Sequence, residues 1–351
     1  MNVLYVFSGE RTKRFVGKAG VDFPDTQFYG MNHLRDFGIH AEYKEFEDYP
    51  LGRFMRKLFG FRIKHMLMYF VAIRYDLVFG ISVMYMLVWK KFFKTKTKFV
   101  IFNSNINRLL MSHVQGTLSY RILVSLLKEA DGIVFLSDDQ MNTVTNKLTF
   151  LKDKSHVLLM GVDDTFYKPV YDGRDNYFLS VGRDNARDYK TVVEVARMLP
   201  HEEFRFVCLP RNIEGIQDIP QNVKIYENIA LEELEALYKG ARALLLIMHN
   251  DTYLEGSDSS GPTVLLEAMA TGLPVVVSNK GYIKDYMVHG EEGIAVDFYD
   301  REGIVQAIHS LENDGYRRKL ATGARRKVER ILNTKSMAER LSHIFHYIHG
   351  K

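Results

Sequence analysis

The chain has 351 residues, of which 46% are hydrophobic and 26% charged, with a formal net charge of +4. That length is comfortable for two domains of ordinary size, and the balance is that of a soluble globular protein. A single cysteine, Cys208, excludes a disulfide framework and a cysteine-rich metal site, and it suits a reducing compartment.

The first nine residues, Met1 to Gly9, read as a buried strand ending in a glycine turn. They lack the charged start and long apolar run of a signal peptide, so a cytoplasmic location is expected. Further strand candidates follow at 40–46, 76–80, 98–103, 132–136 and 156–159, then at 177–181, 204–208, 223–226, 243–247, 274–277 and 293–296. Helical patterns lie between most of them, among them Gln27–Phe37, Ser119–Glu129, Tyr189–Met198 and Leu231–Gly240. The apolar stretch from Met66 to Trp89 is broken by Arg74, Tyr75 and Asp76, which reads as a helix over 63–73 and a strand, not a membrane span. The alternation predicts an α/β fold of two Rossmann-like, doubly wound parallel-sheet domains, with a ligand cleft at the carboxyl ends of the strands. The irregular 163–169 and the polar 172–176 place the boundary. An N-terminal domain is expected over 1–165 and a C-terminal domain over 166–335. A helix over 336–351, apolar at Met337, Leu341, Ile344, Phe345 and Ile348, is expected to dock on one of them.

Charge divides unevenly. Residues 1–165 carry 23 Lys/Arg against 16 Asp/Glu, and the remainder 24 against 27. The excess sits in Arg53, Arg56, Lys57, Arg62 and Lys64, and in Lys90, Lys91, Lys94, Lys96 and Lys98. Phe54, Phe59 and Phe61 interleave the first run; Trp89, Phe92 and Phe93 lie in the second. One reading is a pair of solvated faces; the other is contact with anionic headgroups at the inner face of a membrane. No nucleic-acid motif accompanies the charge.

Two constellations carry chemistry. In Ser259-Ser260-Gly261-Pro262-Thr263-Val264-Leu265-Leu266-Glu267, Pro262 suits the first position of a helix and Gly261 allows close approach of a ligand. Free amides there would face an anion such as a diphosphate, and Glu267, about one and a half turns in, would suit a ribose diol. The bland alternative is an ordinary loop and helix with a solvated Glu267. In Ser180-Val181-Gly182-Arg183-Asp184-Asn185-Ala186-Arg187, a strand ends at a glycine and two arginines follow. They would neutralise a diphosphate leaving group without a metal, or they are two surface arginines at a turn.

With these residues in order, the chain resembles the large retaining GT-B glycosyltransferase family 4 (glycosyl transferases group 1). The likeness runs through most of the C-terminal half: Asn222 to Ile229, Glu232 to Tyr238, Gly261 to Val277 and Gly281 to Gly293. It extends to Ala130–Ser137 and to Gly161-Val162-Asp163 with Phe166 and Pro169. The resemblance implies that the N-terminal domain binds the acceptor and the C-terminal domain the donor, that the helix over 336–351 packs back on the N-domain, and that Arg183 and Arg187 bind the donor diphosphate. It also implies that Thr263, Val264 and Leu265 meet phosphates and ribose, that Glu267 binds the ribose, and that Ile229 packs near the base. Ser259 stands where the family has a glutamate that contacts the transferred sugar. Phe102-Asn103-Ser104-Asn105 stands where it has a histidine, so Ser104 or Asn105 is expected to take that catalytic place. Lys18 and Gly20, in Gly17–Asp22, correspond loosely to its phosphate or acceptor loop, and His113 is read as structural.

The resemblance thus implies transfer of a sugar from a nucleoside diphosphate sugar, UDP favoured over GDP, to a glycan or lipid-linked acceptor. The expected setting is synthesis of a bacterial-type surface polysaccharide or glycoconjugate, with no metal and no nucleic acid. Ser259 and the missing histidine keep open a non-catalytic GT-B-like subunit or glycan-binding scaffold.

Overall fold

The computed structural model describes residues 1–7, 23–45, 63–170, 177–258 and 260–351. They form two compact units, one of Met1–Leu159 with Thr334–Lys351 and the other of Met160–Asn333. The division falls before Met160, not after residue 165: the Val162 amide bonds the Leu332 carbonyl at 2.9 Å, which ties the start of the second unit to its end.

The first unit holds β1 (Asn2–Phe7), β2 (His40–Glu45), β3 (Leu77–Gly80), β4 (Lys98–Phe102), β5 (Gly132–Phe135) and β6 (Ser155–Val157) in one parallel sheet of order β2-β1-β3-β4-β5-β6. The second holds β7 (Tyr177–Val181), β8 (Glu203–Val207), β9 (Val223–Tyr226), β10 (Ala243–Leu246), β11 (Val275–Ser278) and β12 (Ile294–Val296), also parallel, in order β9-β8-β7-β10-β11-β12. Central strands such as β3, β5, β7 and β10 are buried along their whole length. Buried on both faces, such strands have uninterrupted apolar sequences. The edge strand β2, His-Ala-Glu-Tyr-Lys-Glu, is mostly exposed and polar.

Helices of eight residues or more are α1 (Val83–Lys90), α2 (Leu118–Lys128), α3 (Asp138–Lys147), α4 (Tyr189–Met198), α5 (Leu231–Gly240), α6 (Pro262–Ala270), α7 (Arg301–Ser310), α8 (Asp314–Ile331) and α9 (Thr334–Gly350). Side-chain caps start several of them: Thr117 for α2, Ser137 for α3, Asp188 for α4, Asp300 for α7 and Asn313 for α8. None of the described helices is long and apolar enough to cross a membrane.

One helix expectation is corrected and another is borne out in two segments. Gln27–Phe37 is a pair of 3-10 segments, Asp25–Phe28 and Met31–Phe37, separated at Gly30 with φ 74°. A Cβ on Gly30 would lie 2.9 Å from the Ala338 amide nitrogen, so close packing of α9 is what occupies that break. The 63–73 stretch is helical as expected, in two α-helical segments, Ile63–Leu67 and Tyr69–Ala72, on either side of Met68.

The terminal helix α9 belongs to the first unit and completes its core. It buries Met337, Ala338, Leu341, Phe345 and Ile348. Phe345 sits edge-on to Phe79 (5.2 Å) and Tyr5 (6.5 Å), and a Cβ on Gly132 would collide with Ile348 at 2.5 Å.

In the second unit Arg325 of α8 is the principal polar tie. Its buried guanidinium donates to the carbonyls of Tyr167 (2.7 Å), Ala270 (2.8 Å) and Asp164 (3.0 Å), and its Nε to Glu329 (2.7 Å). Replacement by methionine strands those carbonyls. The Arg325→Met variant is expected to lose about 3 kcal/mol in urea denaturation, whereas Arg325→Lys, whose single ammonium cannot span three acceptors, recovers only part.

Candidate functional site

Strand order in the second sheet reverses between β7 and β10, and there the carboxyl ends of parallel strands open a natural ligand crevice. Two loops meet at this point, residues 182–188 after β7 and 247–261 after β10. They are joined by backbone bonds from Asp188 to Ile247 (3.0 Å) and from His249 to Ala186 (2.9 Å), with a bridge between Arg187 and Met248. Asp184 clamps them further. Its carboxylate accepts from the Ala186 amide (2.9 Å), the Ser257 amide (3.1 Å) and the Ser257 hydroxyl (2.8 Å).

Arg187 lies inside this framework, only 6% exposed. Its side chain runs over Gly182, where a Cβ would fall 2.2 Å from Nε, and reaches Gly261, where a Cβ would stand 3.4 Å from Nη1. Nε and Nη1 are buried and have no hydrogen-bond acceptor, and no carboxylate pairs with Arg187 among the described residues. A buried cation is costly unless an anion meets it. The Ser260 hydroxyl is buried without a partner too, while its carbonyl takes the Tyr282 hydroxyl at 2.5 Å.

Directly after Ser260, Gly261 adopts φ 116° and starts α6 with no side-chain cap. A side chain here is excluded twice over: by the backbone and by the Tyr282 hydroxyl, 2.3 Å from a Cβ. Pro262 is the first residue of α6, and the first-turn amides that follow it have no partner within the helix. An unpaired guanidinium, a free hydroxyl and an uncapped helix start therefore present positive charge and donors around one pair of bare glycines. This arrangement fits an anion with several oxygens.

Glu267, farther along α6, is not the solvated carboxylate of the bland reading. It is 7% exposed and accepts a hydrogen bond from the Tyr238 hydroxyl of α5 at 2.9 Å and another from Tyr167. Burial raises its carboxyl to about 7, against the lowering effect of the two phenols.

The other expected positions are less gathered. Arg183 is exposed, and its carbonyl, not its guanidinium, is engaged, by Arg211 at 2.9 Å. Thr263, Val264 and Ile229 are half-buried, whereas the Leu265 side chain belongs to the core. Ser104 and Asn105 belong to the first unit, half-buried and exposed respectively, at the carboxyl end of β4. Asn103 beside them bonds the Ile106 amide at 2.9 Å. His113 ends the following helix, its Nδ1 2.8 Å from the Leu109 carbonyl. Lys18, Gly20 and Ser259 lie outside the described residues. No group of three or more His, Cys, Asp or Glu is arranged for a metal ion among the described residues. Tyr167, Tyr238, Tyr282, Asp184 and Ser260 had no assigned role in the sequence, although each falls within or beside a stretch that carries the family resemblance.

Residues 163–327 match the family model described as Glycosyl transferases group 1. A search of curated protein sequences gave no match. Among solved structures, sucrose-phosphate synthase from Thermosynechococcus elongatus superposes with a TM-score of 0.74 at 16% identity, covering 100% of this chain and 99% of that one. Anabaena HepE in complex with UDP and glucose gives 0.66 at 14% identity, with 98% of each chain covered. A glycosyltransferase from Rickettsia africae gives 0.64 at 15%, covering 99% of this chain and 98% of its own. At these identities the likeness establishes the fold and the family match supplies the activity. Residues 163–327 carry a glycosyl transferases group 1 region, and the chain is a glycosyltransferase of GT-B fold.

Proposed function

We propose that the protein moves a sugar from a nucleoside diphosphate sugar, UDP favoured over GDP, to a hydroxyl of a glycan or lipid-linked acceptor with retained anomeric configuration. The setting is synthesis of a surface polysaccharide or glycoconjugate of bacterial type. The observation that carries this reading is the buried, unpartnered guanidinium of Arg187 beside the uncapped start of α6. As the bond from the sugar to the diphosphate breaks, negative charge gathers on the departing phosphate. Arg187 and the first-turn amides neutralise it where water is excluded, and no metal ion is required. The departing phosphate oxygen takes the proton of the attacking acceptor hydroxyl on the same face. Glu267 holds the ribose, Ile229 packs near the base, Arg183 adds charge at the exposed rim, and Ser104 or Asn105 serves the acceptor side. UDP is supported by the complexes of Anabaena HepE with UDP and with UDP-glucose.

The scaffold alternative is disfavoured by the same observation. A protein without an anionic ligand gains nothing from a buried cation that has no counter-ion.

Arg187→Met therefore separates stability from function. Without ligand the variant is expected to be as stable as the parent or about 1 kcal/mol more so. It loses the thermal stabilisation by UDP, and transfer (kcat/KM from nucleotide release with candidate acceptors) falls at least about 100-fold. A variant that still gains stability from UDP as the parent does would refute the assignment.

Glu267 gives a pH signature. Its carboxyl titrates near 7 when folded and near the ordinary 4.5 when unfolded. The folded chain thus keeps an extra proton between these values, and the associated stability is present below about pH 4.5 and lost as pH rises through 7. Relative to the Glu267→Gln variant, the parent is expected to lose on the order of 3 kcal/mol between pH 4.5 and pH 8 in paired urea titrations. A difference that stays flat would mean that Glu267 is ionised throughout.

A further inference from the structure

At the amino edge of the first sheet, opposite the strand ends that carry Gly80 and Ser104, two segments are sewn together. The Tyr69 hydroxyl donates to the Phe93 carbonyl (3.0 Å), and Thr97 Oγ1 to the carbonyls of Ile73 (3.2 Å) and Tyr75 (2.8 Å). Phe70, Trp89 and Phe93 are thereby held in mutual ring contact, with centroids 5.7 to 6.2 Å apart. Trp89 packs against the core, whereas Phe70 and Phe93 do not. Leu67, Phe70 and Phe93 are about half exposed and Ile73 nearly so, and Phe92 on the same turn is 72% exposed. A cluster of outward apolar tips fixed by three hydrogen bonds is a built surface rather than a scatter of stray side chains.

Its rim is cationic. Residues 64–75 and 89–98 contain no Asp or Glu. Lys90 is consumed by a pair with Asp131, and Lys91 bonds Ser125. Arg74, Lys94 and Lys96 remain exposed, with no carboxylate partner among the described residues. Aromatic and aliphatic tips ringed by unpaired cations match an anionic lipid surface. The apolar groups enter the acyl boundary and the cations stay at headgroup depth.

We infer that Leu67, Phe70, Phe92 and Phe93, with Arg74, Lys94 and Lys96, form a docking face for an anionic membrane. Docking through this edge leaves the carboxyl ends of the first sheet, with Ser104 and Asn105, free of the bilayer. The inference stands apart from the donor-site reading, since it is tested without nucleotide.

Trp89 is the chain's only tryptophan and sits within the aromatic cluster, so its emission reports on the face directly. The full chain is incubated with phosphatidylcholine vesicles with and without phosphatidylglycerol. Sedimentation and a blue shift of Trp89 emission are expected only with phosphatidylglycerol and at low salt, with at least about tenfold weakening near 1 M salt. Phe92→Asp/Phe93→Asp and Lys94→Glu/Lys96→Glu should each weaken binding at least about tenfold while the thermal unfolding midpoint without nucleotide stays that of the parent, which reports that the variants fold. Three outcomes overturn the inference. They are a parent chain that stays in the supernatant, variants that sediment like the parent, or a dimer in sedimentation equilibrium that Phe92→Asp/Phe93→Asp splits without any vesicle binding.

Discussion

A guanidinium buried without a counter-ion is the constraint around which the second unit is arranged. Such a group adds no stability of its own, so everything near it must hold it in place. Gly182 and Gly261 lack side chains because the arginine and the Tyr282 hydroxyl occupy the space. Asp184 does not neutralise the arginine; it spends its oxygens on backbone and Ser257, locking the loop to its neighbour. Tyr282 fixes the Ser260 carbonyl at the glycine where α6 begins. Among the described residues of the second unit, the buried side-chain atoms without a partner are those of Arg187 and Ser260, at one point.

The helix α6 shows the same division along its length. Its carboxyl end is closed by Arg325, a cation donating to the Ala270 carbonyl, where the helix dipole favours positive charge. Its amino end, which favours negative charge, has no cap. Between them Glu267 is wedged against two phenols from distant segments. One end contributes to folding and the other is left for a ligand, so a single nine-residue helix separates the two roles.

Much of this was legible in the sequence, for a definite reason. Each strand candidate coincides with a strand to within a few residues, because strands buried on both faces show as unbroken apolar runs between polar turns. The pattern of Gln27–Phe37 misled because Gly30 sits against Ala338, about three hundred residues later, and local periodicity carries no trace of that contact. The two arginines after β7 looked alike, yet Arg183 is exposed and Arg187 buried. Which one turns inward depends on the bare backbone at Gly261, on another strand's loop. Tyr238 and Tyr167 lay within recognised stretches, but their convergence on Glu267 is a matter of packing across 29 and 100 positions.

The chain order of the first unit has a consequence for synthesis. Its core is incomplete until α9 supplies Met337, Leu341, Phe345 and Ile348, which are translated after the whole of the second unit. The second unit is one continuous stretch whose ends are hydrogen-bonded together, Val162 to Leu332. During translation the inserted unit can therefore finish folding first, while the sheet that began at Met1 waits with the surface meant for α9 uncovered. A nascent chain of this design is most exposed to aggregation and chaperone capture in the sheet of β1 to β6, and removal of α9 damages a sheet whose strands were made long before it.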